Sequence, residues 1–225
     1  MSEHMFKQSE YKTVLAKNTT KKCIEGCHHC QYLHGIEGTY VVPYTFKKGK
    51  IMSLFVLTSC DENKIWFIGG GIKRKDMSID ISLYENLVNA ALREFKEEVC
   101  TTLKSGQKCP ANNNILSYVN ENIWLDQSSV IVKNTNNTYY EKGNKKGGNK
   151  IVSIHARKLF FLEIPEKLFY SFNFNFNVTN KEVNGLKLAT IDELTSDMEK
   201  RKDDVHYYNL MEAVVDKLEI IQMNH

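Results

Sequence analysis

The first half of the chain carries apolar runs with the length and composition of β-strands. Residues 39–46 and 51–57 are rich in β-branched and aromatic side chains, and a short turn containing Lys and Gly separates them. A third run, 65–68, leads directly into the glycines at 69–71. Pro43 removes a backbone donor from the first strand, so we expect that strand to lie at a sheet edge or to carry a bulge.

Two stretches have the period of an amphipathic helix instead. The first, within residues 86–99, gathers its apolar side chains on one side, namely Val88, Ala91, Leu92, Phe95 and Val99. The second, from about residue 198 to 222, does so with Tyr207, Met211, Val214, Leu218 and Ile221. We therefore predict two helices that each bury one face against the strands.

The remaining sequence predicts further strands and long polar connections. Residues 130–132 and 151–162 are predicted to form paired strands, and 186–191 a late strand that runs into a short helix. The stretches 101–114 and 134–150 are polar and punctuated by Gly, Pro or Asn, so we expect loops there. This mixture of strands and helices predicts an α/β fold.

Three acidic side chains cluster in the first predicted helix. Glu94, Glu97 and Glu98 lie at offsets of three and four residues, which puts them on one helical face. Like charges at this spacing repel one another, and a divalent cation among hard carboxylate oxygens relieves the repulsion. The pattern therefore predicts a magnesium or manganese site. The alternative is an ordinary surface helix on which Arg93 and Lys96 pair with these glutamates.

The sequence around these glutamates resembles the Nudix box. That box consists of a glycine, five residues, Glu, seven residues, Arg-Glu, an apolar residue, any residue and Glu-Glu, usually with a glycine soon after. Here Glu85 and seven further residues precede the run 93–98 (REFKEE). The resemblance covers Gly69–Thr101 with two departures. Ile79 stands at the expected glycine position, so the glycine loop is longer than the family's, and Cys100 replaces the closing glycine.

Resemblance to this family implies a Nudix α/β/α sandwich with a mixed central sheet. We assign residues 37–225 to that domain and residues 1–36 to a Cys/His-rich N-terminal extension. Nudix enzymes use water to cleave a diphosphate linked to a nucleoside or another group. The resemblance therefore implies a metal-dependent pyrophosphohydrolase whose partner is a nucleotide-type diphosphate substrate.

The resemblance also implies a metal-binding set. Glu94, Glu97 and Glu98 would hold magnesium or manganese, with a backbone carbonyl of Gly70 or Gly71 as a further ligand. Among these residues, Glu97 and Glu98 are expected to be catalytic.

Two more roles follow from the same resemblance. Glu85 and Arg93 resemble the ion pair that ties the glycine loop to the helix, and we assign them a structural role. The family takes its general base from the box or from a later loop. We favour Glu182, which precedes a late strand, and the other available glutamates are Glu141, Glu163 and Glu193.

The cysteines suggest a second metal. The chain has six cysteines and no recognisable export signal, so we expect them to be reduced or metal-bound. Cys23, Cys27, Cys30 and His34 could form a zinc site of three cysteines and one histidine. The alternative is a reduced, Cys-rich cap that packs on the domain. The cysteine spacing also matches the iron–sulfur motif of radical S-adenosylmethionine enzymes, but their fold needs more strand–helix units than follow here.

Composition indicates a globular, intracellular protein. The chain has 225 residues, of which 42% are hydrophobic and 25% charged, and this length suits one domain with insertions. No apolar run approaches the roughly 20 residues that a membrane helix needs, and the polar N-terminus lacks a signal-peptide core. We therefore expect a cytoplasmic location and no membrane partner. The net charge of +3 is compatible with a polyanionic partner, and the oligomeric state is left open.

Different residues favour different substrates. Tyr118 resembles a marker of the dinucleoside-polyphosphate members of the family, whereas Lys142, Lys145 and Lys146 could guide the phosphates of capped RNA. ADP-ribose is a further candidate. The Asn-, Lys- and Ile-rich usage suggests an AT-rich genome and a viral-type member, and several large DNA viruses carry Nudix mRNA-decapping enzymes. The alternatives of another class are a non-catalytic Nudix-like module and a zinc-organised binding module.

Overall fold

The computed structural model describes residues 36–58, 64–76, 78, 80–100, 111–126, 129–133, 156–173 and 183–225. Eight predicted site residues lie outside these ranges, namely Cys23, Cys27, Cys30, His34, Lys142, Lys145, Lys146 and Glu182. Their assignments stay predictions, as does the division into a 1–36 extension and a 37–225 domain.

The described residues form a mixed, seven-stranded β-sheet. Its strands are β1 (Ile36–Lys47), β2 (Lys50–Thr58), β3 (Ile65–Trp66), β4 (Ile68–Gly71), β5 (Val130–Lys133), β6 (Ala156–Glu163) and β7 (Val183–Thr190). β1 runs parallel to β6 along one edge and antiparallel to β2 and β4 along the other. The pairs β2–β3, β2–β7 and β5–β6 are also antiparallel, so β1 lies in the interior of the sheet.

Helices cover both faces of this sheet. One face carries α1 (Leu83–Cys100), α2 (Asn113–Asn122) and α3 (Glu166–Phe169), and the other carries α4 (Ile191–Lys200) and α5 (Val205–Met223). Successive strand residues alternate between the faces, so Val41 packs with α1 and Val42 with α5. The expected α/β/α sandwich is confirmed. Within the described ranges, no helix is long and apolar enough to cross a membrane.

The apolar stripes predicted for the first and last helices are buried. The members that are at most 1% exposed are Val88, Ala91, Phe95 and Val99 in α1 and Tyr207, Met211, Val214 and Leu218 in α5. Leu92 and Ile221 pack at the margins of the two clusters. Each large apolar side chain contributes about 1.5–3 kcal/mol when buried. This burial sets the rotation of α1 about its axis, and therefore the direction in which its glutamates point.

α2 was not predicted, because its first residues belong to a stretch that we expected to be a loop. The side chain of Asn112 accepts a hydrogen bond from the backbone N–H of Ile115 at 3.0 Å. The asparagine run therefore caps a helix instead of forming a turn. Only Ile115 and Val119 of this helix are buried, which is too short an apolar pattern to stand out in the sequence.

The short helix predicted after the late strand is α4, and the C-terminal helix predicted from about residue 198 begins later, at Val205. α4 ends at Lys200, and α5 begins at Val205 after a short turn. The side chain of Asp204 accepts from the backbone N–H of Tyr207 at 3.1 Å and caps α5. In the sequence, Asp204 is therefore the residue that marks the boundary between α4 and α5.

Pro43 lies in an interior strand, so the expectation of an edge position was wrong. On one edge of β1, Gly38–Val41 pair with β4 and Tyr44–Lys47 pair with β2. Pro43 falls in the gap between these two ladders. Its missing N–H therefore leaves no partner unmatched on that edge of the strand.

Gly69 allows β4 to approach β1 closely. Its φ of +152° disfavours a side chain. A Cβ at this position would also stand 2.2 Å from the carbonyl oxygen of Thr39 and 2.6 Å from Cα of Tyr40. The first of the three glycines is thus required by the pairing of β4 with β1.

We predict that Gly69→Ala prevents folding or lowers the free energy of unfolding by more than about 3 kcal/mol, because strain and steric overlap act together. Gly185→Ala is the matched control, since its Cβ would meet only Leu57 Cδ1, at 3.9 Å. Urea denaturation followed by circular dichroism measures both variants. Wild-type stability in Gly69→Ala would contradict the close approach of β4 to β1.

Candidate active site

The start of α1 is fixed by a reciprocal cap between Ser82 and Glu85. The Glu85 carboxylate accepts from the backbone N–H of Ser82 at 2.6 Å, and the backbone N–H of Glu85 donates to Ser82 Oγ at 3.1 Å. The hydrogen bonds with Ser82 lower the pKa of Glu85. The expected ion pair of Glu85 with Arg93 was therefore wrong. Both residues lie in one helix, and eight residues separate them by about 12 Å along its axis.

Arg93 instead forms a bidentate ion pair with Asp76. Its Nε lies 2.6 Å from Asp76 Oδ1 and its Nη2 lies 2.8 Å from Oδ2. The same Nη2 donates to the carbonyl of Gly71 at 3.0 Å, so one guanidinium joins α1, the 3-10 turn Arg74–Asp76 and the glycines. Burial alone would lower the pKa of Arg93, but hydrogen bonds to Asp76 and Glu94 raise it above its ordinary value.

Asp76 was missed in the sequence although a signal was present. It lies six positions after Gly70, which is the spacing between the glycine and the first glutamate of the Nudix box. The additional residues of the loop therefore follow this acidic position instead of preceding it. A match counted backwards from Arg93 reached Glu85, whose actual role is that of a helix cap.

Glu94 and Glu98 lie directly against the glycines of β4. Glu94 is 7% exposed, and its Oε1 lies 2.5 Å from Arg93 Nη1. A Cβ on Gly70 would stand 2.9 Å from the other oxygen of Glu94, so the absence of a side chain leaves room for this carboxylate. Glu98 Oε2 accepts from the backbone N–H of Gly69 at 3.0 Å. Two of the three glutamates are thus oriented by the strand.

Glu97 is surrounded by cations. Its Oε2 lies 2.8 Å from both Lys73 Nζ and Arg93 Nη1, and its Oε1 lies 3.4 Å from Lys75 Nζ. Burial alone would raise the pKa of Glu97, but the hydrogen bond and charge of Lys73 and the charge of Arg93 lower it. Neither lysine was singled out from the sequence, because their approach to α1 depends on the path of the loop.

Arg157 and Tyr40 border the acidic helix from the sheet. Arg157 on β6 pairs with Gly38 on β1, and its Cδ lies 3.3 Å from the point where a Gly38 Cβ would stand. Burial raises the pKa of Tyr40, a nearby Arg157 lowers it by its charge and a hydrogen bond, and Glu98 and Glu94 raise it further. The sheet therefore places the Arg157 side chain beside Gly70, the glycine against which Glu94 packs.

The chemistry of the three glutamates fits a magnesium or manganese ion, since all their donors are hard oxygens. They are not gathered around one point, however. In the described part of the chain, no three such side chains are close enough together to hold a metal ion. Glu97 is turned toward Lys73, and Arg93 occupies the Gly71 carbonyl that we predicted as a ligand. Gly70 is the better candidate of the two carbonyls.

Other predicted site residues lie elsewhere. The Tyr118 hydroxyl donates to the backbone carbonyl of Glu163 at 3.0 Å. Glu163 stands six residues after Arg157 on β6, which is about 20 Å along the strand, so neither Tyr118 nor Glu163 lies beside the acidic face. The Glu193 carboxylate accepts from Thr190 N at 2.8 Å and caps α4. Substrate binding by Tyr118 stays a prediction, for a part of the substrate away from the acidic face.

Comparison with solved structures gives several similar chains. An Ap4A hydrolase of C. elegans is 14% identical with a TM-score of 0.41, over 84% of this chain and 98% of that chain. A NUDIX hydrolase of Alicyclobacillus acidocaldarius is 11% identical with a TM-score of 0.41, over 74% and 84%. A Listeria monocytogenes protein named as a NUDIX hydrolase is 15% identical with a TM-score of 0.38, over 80% and 94%. No protein-family model and no curated protein matches the chain.

Proposed function

We propose that this chain is a Nudix hydrolase that uses water and a divalent metal to cleave the diphosphate linkage of a nucleotide-type substrate. One observation carries the proposal: Arg93 and Asp76 clamp the acidic face of α1 against the glycines of β4. The run 93–98, which resembles part of the Nudix box, supplies the carboxylates, and the ion pair of Arg93 with Asp76 holds them at the end of β4. Carboxylates held at a fixed place beside exposed backbone suit a metal-dependent hydrolase.

Each glutamate contributes differently to the proposed site. Bound magnesium or manganese would neutralise phosphate charge and lower the pKa of a water molecule. Glu94, Glu97 and Glu98 would hold the ion together with the Gly70 carbonyl. Glu94 and Glu98 already contact β4, so little ordering is needed for them, whereas Glu97 has to change partners. The cost of assembling the site therefore falls mainly on Glu97.

Arg157 is a candidate for binding the substrate. A guanidinium makes two parallel hydrogen bonds to a phosphate, and the Arg157 side chain passes beside Gly70, against which Glu94 packs. A diphosphate held between the metal and Arg157 would have its negative charge balanced on both sides. Glu182, immediately before β7, remains our candidate for the general base.

Within this function, capped RNA, ADP-ribose and dinucleoside polyphosphates are the candidate substrates. Capped RNA would add phosphates beyond the cap, and Lys142, Lys145 and Lys146 are the side chains that we propose for them. A non-catalytic Nudix-like module is the alternative of another class. Such a module has no need of three metal-binding carboxylates, and this chain retains all of them.

A substrate panel tests the proposal. Purified protein is incubated with capped RNA, ADP-ribose, dinucleoside polyphosphates, NADH and nucleoside triphosphates, each with magnesium, with manganese and with a chelator. We expect one class of substrate to be cleaved at its diphosphate, and only with metal. Cleavage of none of them, or equal cleavage in the chelator, would contradict the proposed function.

We predict that Glu97→Gln and Glu98→Gln each lower kcat at least ~100-fold while the fold survives. Each substitution removes a negative charge that the transition state needs more than the ground state does. Glu121→Gln, on the exposed side of α2, is the control and should keep wild-type activity. Steady-state kinetics on the substrate found by the panel measures all three. Near-normal rates in both variants would mean that the metal is held elsewhere.

We predict that Asp76→Asn lowers the free energy of unfolding by about 3 kcal/mol and also lowers activity. Asn carries no charge, so the Arg93 guanidinium, whose side chain is 13% exposed, would lose the most buried of its three carboxylate partners. Glu85→Gln removes a carboxylate from α1, the helix that carries Arg93, but it only weakens the cap of that helix. It should therefore lower the free energy of unfolding by less.

Urea denaturation and kinetics, measured in parallel on both variants, decide whether Asp76 or Glu85 is the partner of Arg93. A larger loss of stability from Glu85→Gln than from Asp76→Asn would restore the originally expected pair of Glu85 and Arg93.

A further inference from the structure

Lys73 bridges two of the glutamates that we propose to bind metal. Its Nζ lies 2.8 Å from Glu97 Oε2 and 3.7 Å from Glu94 Oε1. Lys75 brings a second ammonium to 3.4 Å from Glu97 Oε1. An ammonium therefore already occupies carboxylate oxygens that a divalent ion would need.

From this geometry we infer that Lys73 is a built-in counter-cation, which holds Glu94 and Glu97 until a divalent metal ion displaces it. The inference rests on the proposed function, because it assumes that these glutamates are the metal ligands. A divalent ion bound to these oxygens would lie close to the Lys73 ammonium, and the two cations would repel each other at short range. Binding of the metal and release of the Lys73 ammonium are therefore coupled.

The surroundings of Lys73 make it the exchangeable partner. Its side chain is 51% exposed, whereas that of Arg93 is 13% exposed and is fixed by Asp76. An exposed ion pair is weak, and the flexible side chain of lysine lets its ammonium return to water. A mostly covered ion pair with two parallel hydrogen bonds is costly to break. We therefore expect Arg93 to stay in place and Lys73 to leave.

This arrangement has a consequence for the protein without metal. Three carboxylates on one helical face repel one another, and Lys73 offsets part of that repulsion. The lysine should thus stabilise the metal-free protein and weaken its affinity for metal. Both effects are measurable without a substrate.

The test compares Mn²⁺ binding by electron paramagnetic resonance in the wild type, Lys73→Met, Lys73→Arg and Lys96→Met. We expect Lys73→Met to bind Mn²⁺ about fivefold more tightly, because the competing ammonium is gone. Lys73→Arg retains a competing cation and should bind like the wild type. Lys96→Met removes the same charge from the exposed side of α1, and therefore controls for the change in net charge.

Thermal unfolding gives a second readout. Lys73→Met should melt below the wild type without metal, and the difference should disappear at saturating Mn²⁺. Unchanged or weaker Mn²⁺ binding in Lys73→Met would overturn the inference, whereas the proposed function would stand. A tightening of equal size in Lys96→Met would overturn it too, since the effect would then be general electrostatics. Absence of Mn²⁺ binding to all four proteins would instead remove the proposed function, and the inference with it.

Discussion

The ion pair between Arg93 and the buried Asp76 is the interaction on which the acidic site depends. The apolar stripe of α1 sets the rotation of the helix, but it does not by itself fix the helix against the end of β4. One guanidinium does so, by binding Asp76 with two hydrogen bonds and the Gly71 carbonyl with a third. With the helix fixed there, Glu94 reaches Gly70, where any side chain would exclude it. Loss of this ion pair would therefore also disturb the positions of the carboxylates on α1.

The cations around the glutamates fall into two groups, one fixed in place and one able to leave. Arg93 is mostly covered, at 13% exposed, and multiply bonded, so it belongs to the framework. Lys73 and Lys75 reach the same carboxylates with side chains that are more than half exposed. In the proposed metal site, such a division would let the helix carry three like charges without metal and present them once a metal binds. We infer that Arg93 positions the site, while the exposed lysines occupy it until the metal binds.

Local patterns predicted the fold and the acidic face, because the stripe of α1 and the run 93–98 are both properties of one helix. They did not predict which carboxylate meets Arg93. A fixed spacing pointed to Glu85, although the Ser-x-x-Glu cap pattern and the position of Asp76 after Gly70 indicated otherwise. Lys73 and Arg157 could not be found in this way, because their approach to α1 depends on loop path and strand register.

Anomalous diffraction at the manganese edge, from crystals soaked in Mn²⁺, tests the proposed metal site most directly. We expect a peak between Glu94, Glu97 and Glu98, with Arg93 still bonded to Asp76 and the Lys73 ammonium withdrawn. A peak elsewhere in the protein, or none at this site at a concentration that saturates binding in solution, would contradict the proposed metal site.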